Sequence, residues 1–353
     1  SHLGMKLLYG LYNEQPDVWC ERVFAPDTDM EALMRENGIP LFALESRDPI
    51  RDFDFIGFTL QYEMSYTAVL HMLDLAGVPL HAAERGDDCP LVIGGGPCAC
   101  NPEPLAGFFD LFTLGEGEDV SLELFELYRR HKAAGFRRAA FLREAAAIEG
   151  VYVPSLYDVT YREDGTVEAV RPRDGAPATV RKRILTDMDA AYYPKSFVVP
   201  FLDIVHDRAM SEIFRGCIRG CRFCQAGFIY RPVREKSPAV INAQSRALCE
   251  STGYEEFSLS SLSTSDYSRL EELLPALLDW AEKEHTNISL PSLRVDGFSE
   301  ELANQLNVLR RSGLTFAPEA GTQRLRDAIN KNVTEEEILD TCGKAFAGGW
   351  TAV

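Results

Sequence analysis

The most informative segment of the chain is residues 215–224, which read Arg-Gly-Cys-Ile-Arg-Gly-Cys-Arg-Phe-Cys. Three thiols, separated by three and two residues, lie in it: Cys217, Cys221 and Cys224. A loop that wraps round can turn all three sulfurs toward one point, and Gly216 and Gly220 supply the backbone freedom for this. Thiolates are soft ligands that suit zinc or an iron–sulfur cluster. The spacing, directly after a predicted strand at 212–215, therefore predicts a metal centre.

The number of protein ligands separates the kinds of metal centre. A structural zinc site needs a fourth ligand, and the nearest candidates, His206 and Cys249, have no suitable spacing from the loop. We therefore favour three protein ligands and one open coordination position. A metal with an open position can bind a substrate, whereas a metal with four protein ligands cannot. Three buried thiols without a metal, and a zinc-stabilised binding module, are the alternatives.

Composition limits the class of protein. A length of 353 residues predicts about two domains, and 46% hydrophobic with 25% charged residues excludes a disordered, collagen-like or coiled-coil chain. No apolar run reaches the roughly 18 residues of a membrane span, and no signal peptide is recognisable. The odd count of nine Cys argues against a secreted disulfide framework. We expect a cytoplasmic protein without a membrane partner.

Charge is distributed unevenly. The net charge of −18 excludes bulk attraction to nucleic acid, yet seven basic residues outnumber three acidic ones between positions 206 and 236, around the three thiols. Such an island favours an anionic ligand, with a solvated helix face as the alternative. We expect RNA as the substrate, with a phosphorylated metabolite as the alternative, because local basic groups can make phosphate contacts. The residues suggested for this role are Arg231, Arg234, Arg310, Arg311, Arg324 and Lys331.

The first part of the chain alternates short apolar runs with amphipathic ones. Strands are predicted at 40–45, 53–60, 90–96 and 111–115, and helices at 30–37, 66–77 and 120–132. This alternation predicts a parallel sheet with helices on both faces, whose ligands bind beyond the carboxyl ends of the strands.

The remainder divides into two further segments. Residues 151–200 predict an antiparallel hairpin, 152–161 with 167–170 around a Glu-Asp-Gly turn, and a linker. From 201 onward, strands at 212–215, 256–262, 287–291, 314–318 and 350–353 alternate with helices at 239–250, 267–284, 300–311 and 335–347, as in a barrel of parallel strands. The expected domains are 1–150, 151–200 and 201–353. Both outer domains look truncated, and we expect a C-terminal remainder that closes the barrel.

The segment 215–224 resembles the signature of the radical S-adenosylmethionine (radical SAM) enzymes. The resemblance implies that Cys217, Cys221 and Cys224 hold a four-iron four-sulfur (4Fe-4S) cluster whose fourth iron binds S-adenosylmethionine. One electron, delivered by a flavodoxin- or ferredoxin-type donor, would then cleave S-adenosylmethionine to a 5′-deoxyadenosyl radical. A non-catalytic iron–sulfur electron carrier or sensor is the competing interpretation.

The same resemblance assigns cofactor contacts to further residues. Phe223 would lie next to the adenine, and the region of Ser260 and Ser261 would contact the methionyl part. Arg294 would pair with a carboxylate or the ribose, although a surface ion pair is an alternative. Glu319 and Gly321 look like the family's Glu-x-Gly turn, although Glu319 could equally cap a helix.

The first part of the chain resembles the cobalamin-binding domain that precedes many radical SAM barrels. The similarity lies in the glycine turn Gly94-Gly95-Gly96 after an apolar run, and in Thr59 at an earlier strand end. That domain's Asp-x-His-x-x-Gly signature is absent from this sequence. Some relatives bind cobalamin without this His and others keep the fold without the cofactor, so the resemblance leaves both outcomes open.

Together these resemblances imply an α/β protein: a Rossmann-like, cobalamin-binding-type domain followed by a partial (β/α) TIM-type barrel. With cobalamin, methyl transfer to an unactivated carbon of an RNA or small molecule would be expected. Without it, hydrogen abstraction, rearrangement or sulfur insertion stay open, and no catalytic residue beyond the cofactor site is identified.

Overall fold

The chain folds into two compact units. A computed structural model describes residues 2–202, 204–297 and 314–353. The first unit comprises Leu8–Leu185, and the second comprises Ser1–Leu7 with Thr186–Val353. The segment expected as a separate insert, 151–200, is thus divided between the units, and its hairpin belongs to the first.

The first unit is built on a four-stranded sheet of order β1-β2-β3-β4. β1 (Phe55–Thr59), β2 (Leu91–Gly95) and β3 (Leu111–Thr113) are parallel, and β4 (Val151–Tyr152) runs antiparallel to β3. The parallel sheet expected from the apolar runs is therefore confirmed. Such runs arise because the strands of a covered parallel sheet are buried on both faces.

Helices of the first unit cover this sheet. Phe55 in β1 packs edge-on against the ring of Tyr128 in α4 (Gly117–Ala133), with centroids 4.7 Å apart. α3 (Tyr66–Ala76) buries Leu73 and Ala76 completely and ends at Gly77, whose left-handed φ of 69° suits a helix C-terminus. The helices from the N-terminus to residue 145 are α1 (Leu3–Asn13), α2 (Thr28–Asn37), α3 (Tyr66–Ala76), α4 (Gly117–Ala133) and α5 (Arg138–Ala145).

One strand predicted in this unit is wrong. Residues 40–45 form only an isolated antiparallel bridge, between Phe42 and Pro49. Leu41 and Ala43 are buried as the pattern suggested, but Arg47 adopts a left-handed φ of 68° and reverses the chain. The apolar spacing therefore reflects a buried loop that is too short to pair as a strand.

A two-stranded hairpin also belongs to the first unit. β5 (Tyr157–Tyr161) and β6 (Val167–Pro172) pair antiparallel, which confirms the predicted hairpin.

A buried carboxylate and two arginines form an ion cluster in the first unit. Asp110 accepts hydrogen bonds from Arg85 Nη1 at 2.7 Å and Arg138 Nη1 at 2.6 Å. It also accepts one from the backbone N–H of β2 at 2.8 Å. These contacts satisfy the buried charges and hold the start of β3 against β2.

The second unit contains a parallel sheet of order β11-β10-β7, and a helix or turn lies between successive strands. Its strands are β7 (Ala209–Glu212), β10 (Glu256–Ser260) and β11 (Asn287–Ser289), and a separate antiparallel pair is formed by β8 (Phe214–Arg215) and β9 (Arg234–Glu235). The helices are α6 (Ala226–Ile229), α7 (Pro238–Thr252), α8 (Leu270–Ala281), α9 (Gln323–Ala328) and α10 (Glu335–Ala347).

Several boundaries in the second unit differ from the sequence expectation. The strand predicted at 212–215 is two short strands, β7 and β8, in different sheets. Residues 314–318 and 350–353 form no strand, so those two predictions are wrong. Trp350 is buried, but its backbone N–H donates to the carbonyl of Ala345 at 3.1 Å and closes the end of the helix at 335–347. The helix predicted at 300–311 lies outside the described residues.

Two glycines of the first sheet provide a matched test of packing. A Cβ on Gly94 would lie 2.6 Å from the buried ring of Phe112, whereas a Cβ on Gly57 would have nothing within 4 Å. We expect Gly94→Ala to lower the free energy of unfolding by about 1–3 kcal/mol through overpacking. Gly57→Ala should change it by less than about 0.5 kcal/mol. Urea denaturation followed by circular dichroism measures both, and equal effects would contradict this packing.

Candidate functional site

The cysteine loop is the segment 216–233, and β8 and β9 close it at its base. Phe214 pairs with Glu235, and Arg215 pairs with Arg234. Gly216 begins the loop with a left-handed φ of 99°. A Cβ there would lie 2.6 Å from the carbonyl oxygen of Pro232, on the returning side of the loop. Only glycine can satisfy both requirements, so this residue fixes where the loop leaves the strand.

The Arg231 side chain, itself in the cysteine loop, donates hydrogen bonds to the backbone of the first part of the loop. Its Nε donates to the carbonyl oxygen of Cys217 at 3.1 Å. Its Nη2 donates to the carbonyls of Ile218 and Arg219 at 3.0 and 3.1 Å. One guanidinium thus fixes three consecutive peptide groups that begin at the first thiol. Arg231 is expected from the sequence to contact a substrate, and in the structure it makes these hydrogen bonds within the loop.

Arg219 connects the loop to the carboxyl ends of two parallel strands. It pairs with Asp266, which follows β10, through Nε to Oδ2 at 3.0 Å and through Nη2 to Oδ1. Its Nη1 lies 3.4 Å from Oδ2 of Asp296, which follows β11. Asp296 in turn accepts from Arg294 Nε at 2.8 Å. Two arginines and two aspartates therefore form one alternating network beside the cysteine loop.

The charge state of Asp266 follows from this network. Burial raises the pKa of this carboxyl, but the hydrogen bond and the positive charge of Arg219 outweigh burial and lower it below the ordinary value. The same hydrogen bond raises the pKa of Arg219. Both groups are therefore ionised at neutral pH, and their pairing strengthens the attachment of the loop.

The three thiols have the donor chemistry of a cluster site. Cys217 and Cys221 are partly buried and Cys224 is exposed, so the loop presents them at the surface of the unit. Among the residues that the structure describes, no three His, Cys, Asp or Glu side chains are grouped closely enough to hold a metal ion. Metal binding commonly completes the arrangement of its own ligands, and the thiols stay the predicted ligand set.

The structure joins some of the other predicted cofactor residues by hydrogen bonds. Ser260 ends β10, and the hydroxyl of Ser261 lies 3.1 Å from that of Thr264, which donates to the carbonyl of Pro291 at 2.6 Å. Ser261 is thereby tied to the loop after β11.

Lys331 forms hydrogen bonds with both Arg294 and Glu319. Arg294 Nη2 donates to the carbonyl of Lys331 at 3.3 Å, and Lys331 Nζ donates to Glu319 Oε1 at 3.1 Å. Glu319 therefore pairs with a side chain instead of capping a helix. Gly321 lies two residues further on, and Phe223 exposes 55% of its surface on the cysteine loop.

Two family models match the two parts of the chain. The model described as radical SAM proteins, N-terminal, matches residues 4–154. The model of the radical SAM superfamily matches residues 211–353, which include the cysteine loop and the parallel strands β10 and β11. The chain belongs to the radical SAM superfamily.

The chain is also similar to individual proteins. An uncharacterized protein of Methanocaldococcus jannaschii is 30% identical over 310 residues, which are 87% of this chain and 58% of that protein. The cobalamin-dependent S-adenosylmethionine radical enzyme OxsB, solved with aqua-cobalamin and S-adenosylmethionine bound, superposes with a TM-score of 0.61 at 12% identity. The match covers 98% of this chain and 45% of OxsB.

A second solved structure shows the same fold. The radical S-adenosylmethionine methyltransferase TsrM of Kitasatospora setae, with tryptophan and an S-adenosylmethionine analogue bound, gives a TM-score of 0.57 at 14% identity. That match covers 98% of this chain and 62% of TsrM. The α/β fold expected from the sequence, a parallel-sheet domain followed by a radical SAM core, is confirmed. This radical SAM chain spans less than two thirds of each of these relatives.

The glycine turn of the first unit serves its own packing. Gly94 leaves room for the ring of Phe112, and a Cβ on Gly95 would lie 2.9 Å from Thr113 Oγ1. Gly96, with a φ of 97°, lies against the carbonyl of Leu60. The approach of a ligand is therefore not needed to explain these glycines.

An exposed face of β1 lies beside Gly94, Gly95 and Gly96. Thr59 and Gly57 are exposed on one face of β1, and Thr59 is the register partner of Gly95. Gly57 and Thr59 have small side chains, so they leave this face open toward the carboxyl end of β1, where parallel sheets bind their ligands.

Sequence reasoning missed Asp266 and Asp296. A usable signal was present, because each carboxylate follows a predicted strand of the barrel by a few residues, where loops of such sheets carry functional groups. What the sequence could not indicate is that both would pair with the basic residue between the first two thiols.

No helix within the described residues is both long enough and apolar enough to cross a membrane.

The Arg219 network predicts a pH-dependent stability. Asp266→Asn should lower the free energy of unfolding at pH 7 by about 1.5–3 kcal/mol, the usual contribution of a hydrogen bond to a charged group. Because the native pKa of Asp266 is lowered, wild type and variant should differ most above about pH 4, the ordinary value for Asp. The difference should shrink as the pH falls through the lowered native pKa.

Asp279→Asn is the matched control, because Asp279 pairs with Lys283 on an exposed face of α8; it should cost less than about 1 kcal/mol. Tryptophan fluorescence reports on the second unit, since Trp280 and Trp350 are buried there and Trp19 is exposed. Equal losses for both variants, or a pH-independent loss for Asp266→Asn, would argue against the network.

Proposed function

We propose that this chain binds a 4Fe-4S cluster through Cys217, Cys221 and Cys224 and reductively cleaves S-adenosylmethionine. The observation that carries the proposal is the loop with thiols spaced by three and two residues, attached by Arg219 to the carboxyl ends of two parallel strands. When bound, the cluster would supply one electron to S-adenosylmethionine and release a 5′-deoxyadenosyl radical. A donor of the flavodoxin or ferredoxin type would reduce it.

The protein's own residues would orient the loop and the cofactor. Arg231 fixes the peptide groups next to the first thiol, and Arg219 fixes the loop against Asp266. Arg294 is buried and already paired with Asp296, so we assign it to holding the loop after β11 rather than to pairing alone with a carboxylate of the cofactor. Such preformed contacts reduce the ordering that cofactor binding requires.

The ligand set is tested by single substitutions. Cys217→Ala, Cys221→Ala and Cys224→Ala should each lower the iron content after anaerobic reconstitution and abolish formation of 5′-deoxyadenosine with dithionite. Cys249→Ala is the control, because Cys249 is buried in α7, where burial raises the pKa of its thiol to about 12. It should retain iron and activity. Full iron content in any of the three loop variants would overturn the assignment of that residue.

The open coordination position is tested by electron paramagnetic resonance of the reduced wild-type protein. Adding S-adenosylmethionine should change the spectrum, because the cofactor would bind directly to the cluster. A cluster spectrum that ignores S-adenosylmethionine would instead favour a non-catalytic electron carrier or sensor. Zinc without iron would favour the structural binding module.

We further propose that the first unit binds cobalamin, which would supply methyl transfer. OxsB and TsrM were solved with cobalamin bound. The face at Gly57 and Thr59 is exposed, and a Cβ on Gly57 would have nothing within 4 Å, which supports a ligand there. Gly94, Gly95 and Gly96 would support this face from within the sheet. Methylation of an unactivated carbon is then the reaction class we favour.

Cobalamin binding is tested by filling this face. Wild-type protein should retain hydroxocobalamin through gel filtration, as measured by visible absorbance, and Gly57→Phe should retain much less. Gly343→Phe is the control, since a Cβ there also meets nothing within 4 Å but lies in α10 of the other unit. Equal retention by wild type and Gly57→Phe would place cobalamin elsewhere.

We propose RNA as the substrate that the basic residues expected from the sequence would contact. Lys331 pairs with Glu319, Arg324 is exposed on α9, and Arg310 and Arg311 lie outside the described residues. A phosphorylated small molecule could meet the same charges. A filter-binding assay at low salt that retains no RNA would exclude the RNA proposal.

A further inference from the structure

Cys221 is the thiol whose neighbours are held from outside the cysteine loop. The residue before it, Gly220, accepts a hydrogen bond at its carbonyl from Asn330 Nδ2 at 2.8 Å. The residue after it, Arg222, donates its backbone N–H to the carbonyl of Ile329 at 2.9 Å and its Nη1 to that of Ala328 at 2.6 Å. Three consecutive residues, 328–330, thus hold the peptide groups on both sides of this thiol.

Asn330 is adapted to this contact. Its φ is 56°, a left-handed conformation that asparagine tolerates better than most residues. A Cβ on Gly220 would lie 3.0 Å from Asn330 Nδ2, so the glycine permits the approach of the amide. Gly220 has no left-handed φ, and the close contact with Asn330 explains a glycine here better than the wrapping freedom expected from the sequence.

Buried Arg326 fixes the segment that carries Asn330. It is 2% exposed, and its Nη1 donates to the carbonyl of Ala320 at 2.9 Å while its Nε donates to that of Val333 at 2.8 Å. These two carbonyls lie on either side of α9. The helix and its flanking turns are therefore held in one conformation by a guanidinium whose desolvation is offset by these hydrogen bonds.

We infer that Asn330 is a positioning residue for the cluster: its amide orders the backbone at Cys221 and so sets where this thiolate meets the iron. The inference deepens the proposed function and rests on the assignment of Cys221 as a ligand. Asn330 acts through the Gly220 carbonyl and needs no contact with the cofactor. Arg219 and Arg231 hold the loop at Cys217, so the contribution of Asn330 is specific to the second thiol.

The chain provides a matched pair for the test. Asn332 also has a left-handed φ, 53°, but its side chain is exposed and no hydrogen bond joins it to the cysteine loop within the described structure. Asn330→Gly and Asn332→Gly both remove the side chain, and glycine accepts this backbone conformation without strain. Asn330→Asp and Asn332→Asp add the same charge, and the first places a carboxylate against the Gly220 carbonyl.

The first measurement uses the metal-free full chain. Alkylation by iodoacetamide, followed by peptide mass spectrometry, gives the rates of Cys217, Cys221 and Cys224 separately. We expect the rate of Cys221 to rise about fivefold relative to Cys217 in Asn330→Gly, the change in opening equilibrium that corresponds to one lost hydrogen bond of about 1 kcal/mol. Asn332→Gly should leave the ratio unchanged. An unchanged ratio in both Asn330 variants would overturn the inference.

The second measurement uses the reconstituted protein. Both Asn330 variants should bind less iron per chain and show an altered spectrum of the reduced cluster, whereas both Asn332 variants should match the wild type. If wild type itself binds no cluster, the proposed function fails, while the alkylation ratio still reports on positioning. If wild type binds a cluster and the Asn330 variants are spectroscopically identical to it, Asn330 is not a positioning residue.

Discussion

The structure around the cysteine loop depends on the Arg219 guanidinium between two carboxylates. Asp266 and Asp296 follow neighbouring parallel strands, and Arg219 lies between the first two thiols. A loop rich in glycine would otherwise sample many conformations, because glycine restricts the backbone least. A charged hydrogen-bonded pair that is partly shielded from water is strong enough to select one of them. The attachment of the first part of the loop, which carries Cys217, to the sheet follows from this pair.

The two units of this radical SAM chain use buried charge in different ways. In the first unit, Asp110 is enclosed with Arg85 and Arg138 and joins the starts of two strands. These ion pairs stabilise the fold, and losing Asp110 would remove the carboxylate that both buried guanidinium groups share. In the second unit, Arg219 and Arg231 lie in the loop that carries the thiols, and they hold backbone and carboxylates at the strand ends. There the charges order a segment that the hydrophobic core does not reach.

Glycine has several physical roles along the chain, and the residue type alone does not distinguish them. Gly94 makes room for a ring, Gly216 adopts a left-handed conformation against the returning chain, and Gly220 admits the amide of Asn330. Gly57 faces open space instead. The first three glycines are explained by contacts within the protein, so a glycine-rich segment alone does not indicate a cofactor.

The sequence by itself determined the fold class, most of the helices, the parallel strands of the first sheet and the three-thiol segment, because periodicity and spacing are local properties of the chain. The spacing of apolar residues indicates which side chains are buried but not whether the backbone pairs with another strand. For this reason the sequence predicts strands at 40–45 and 350–353 that the structure does not form. Only the tertiary structure decided that Asp266, Asp296 and Asn330 reach the cysteine loop. These residues are 47, 77 and 110 positions from their partners in sequence. Asp266 and Asp296 reach the loop because the carboxyl ends of neighbouring parallel strands meet at one edge of a sheet. Asn330 reaches it from the turn after α9, where residues 328–330 hydrogen-bond to the loop. No local pattern encodes either juxtaposition.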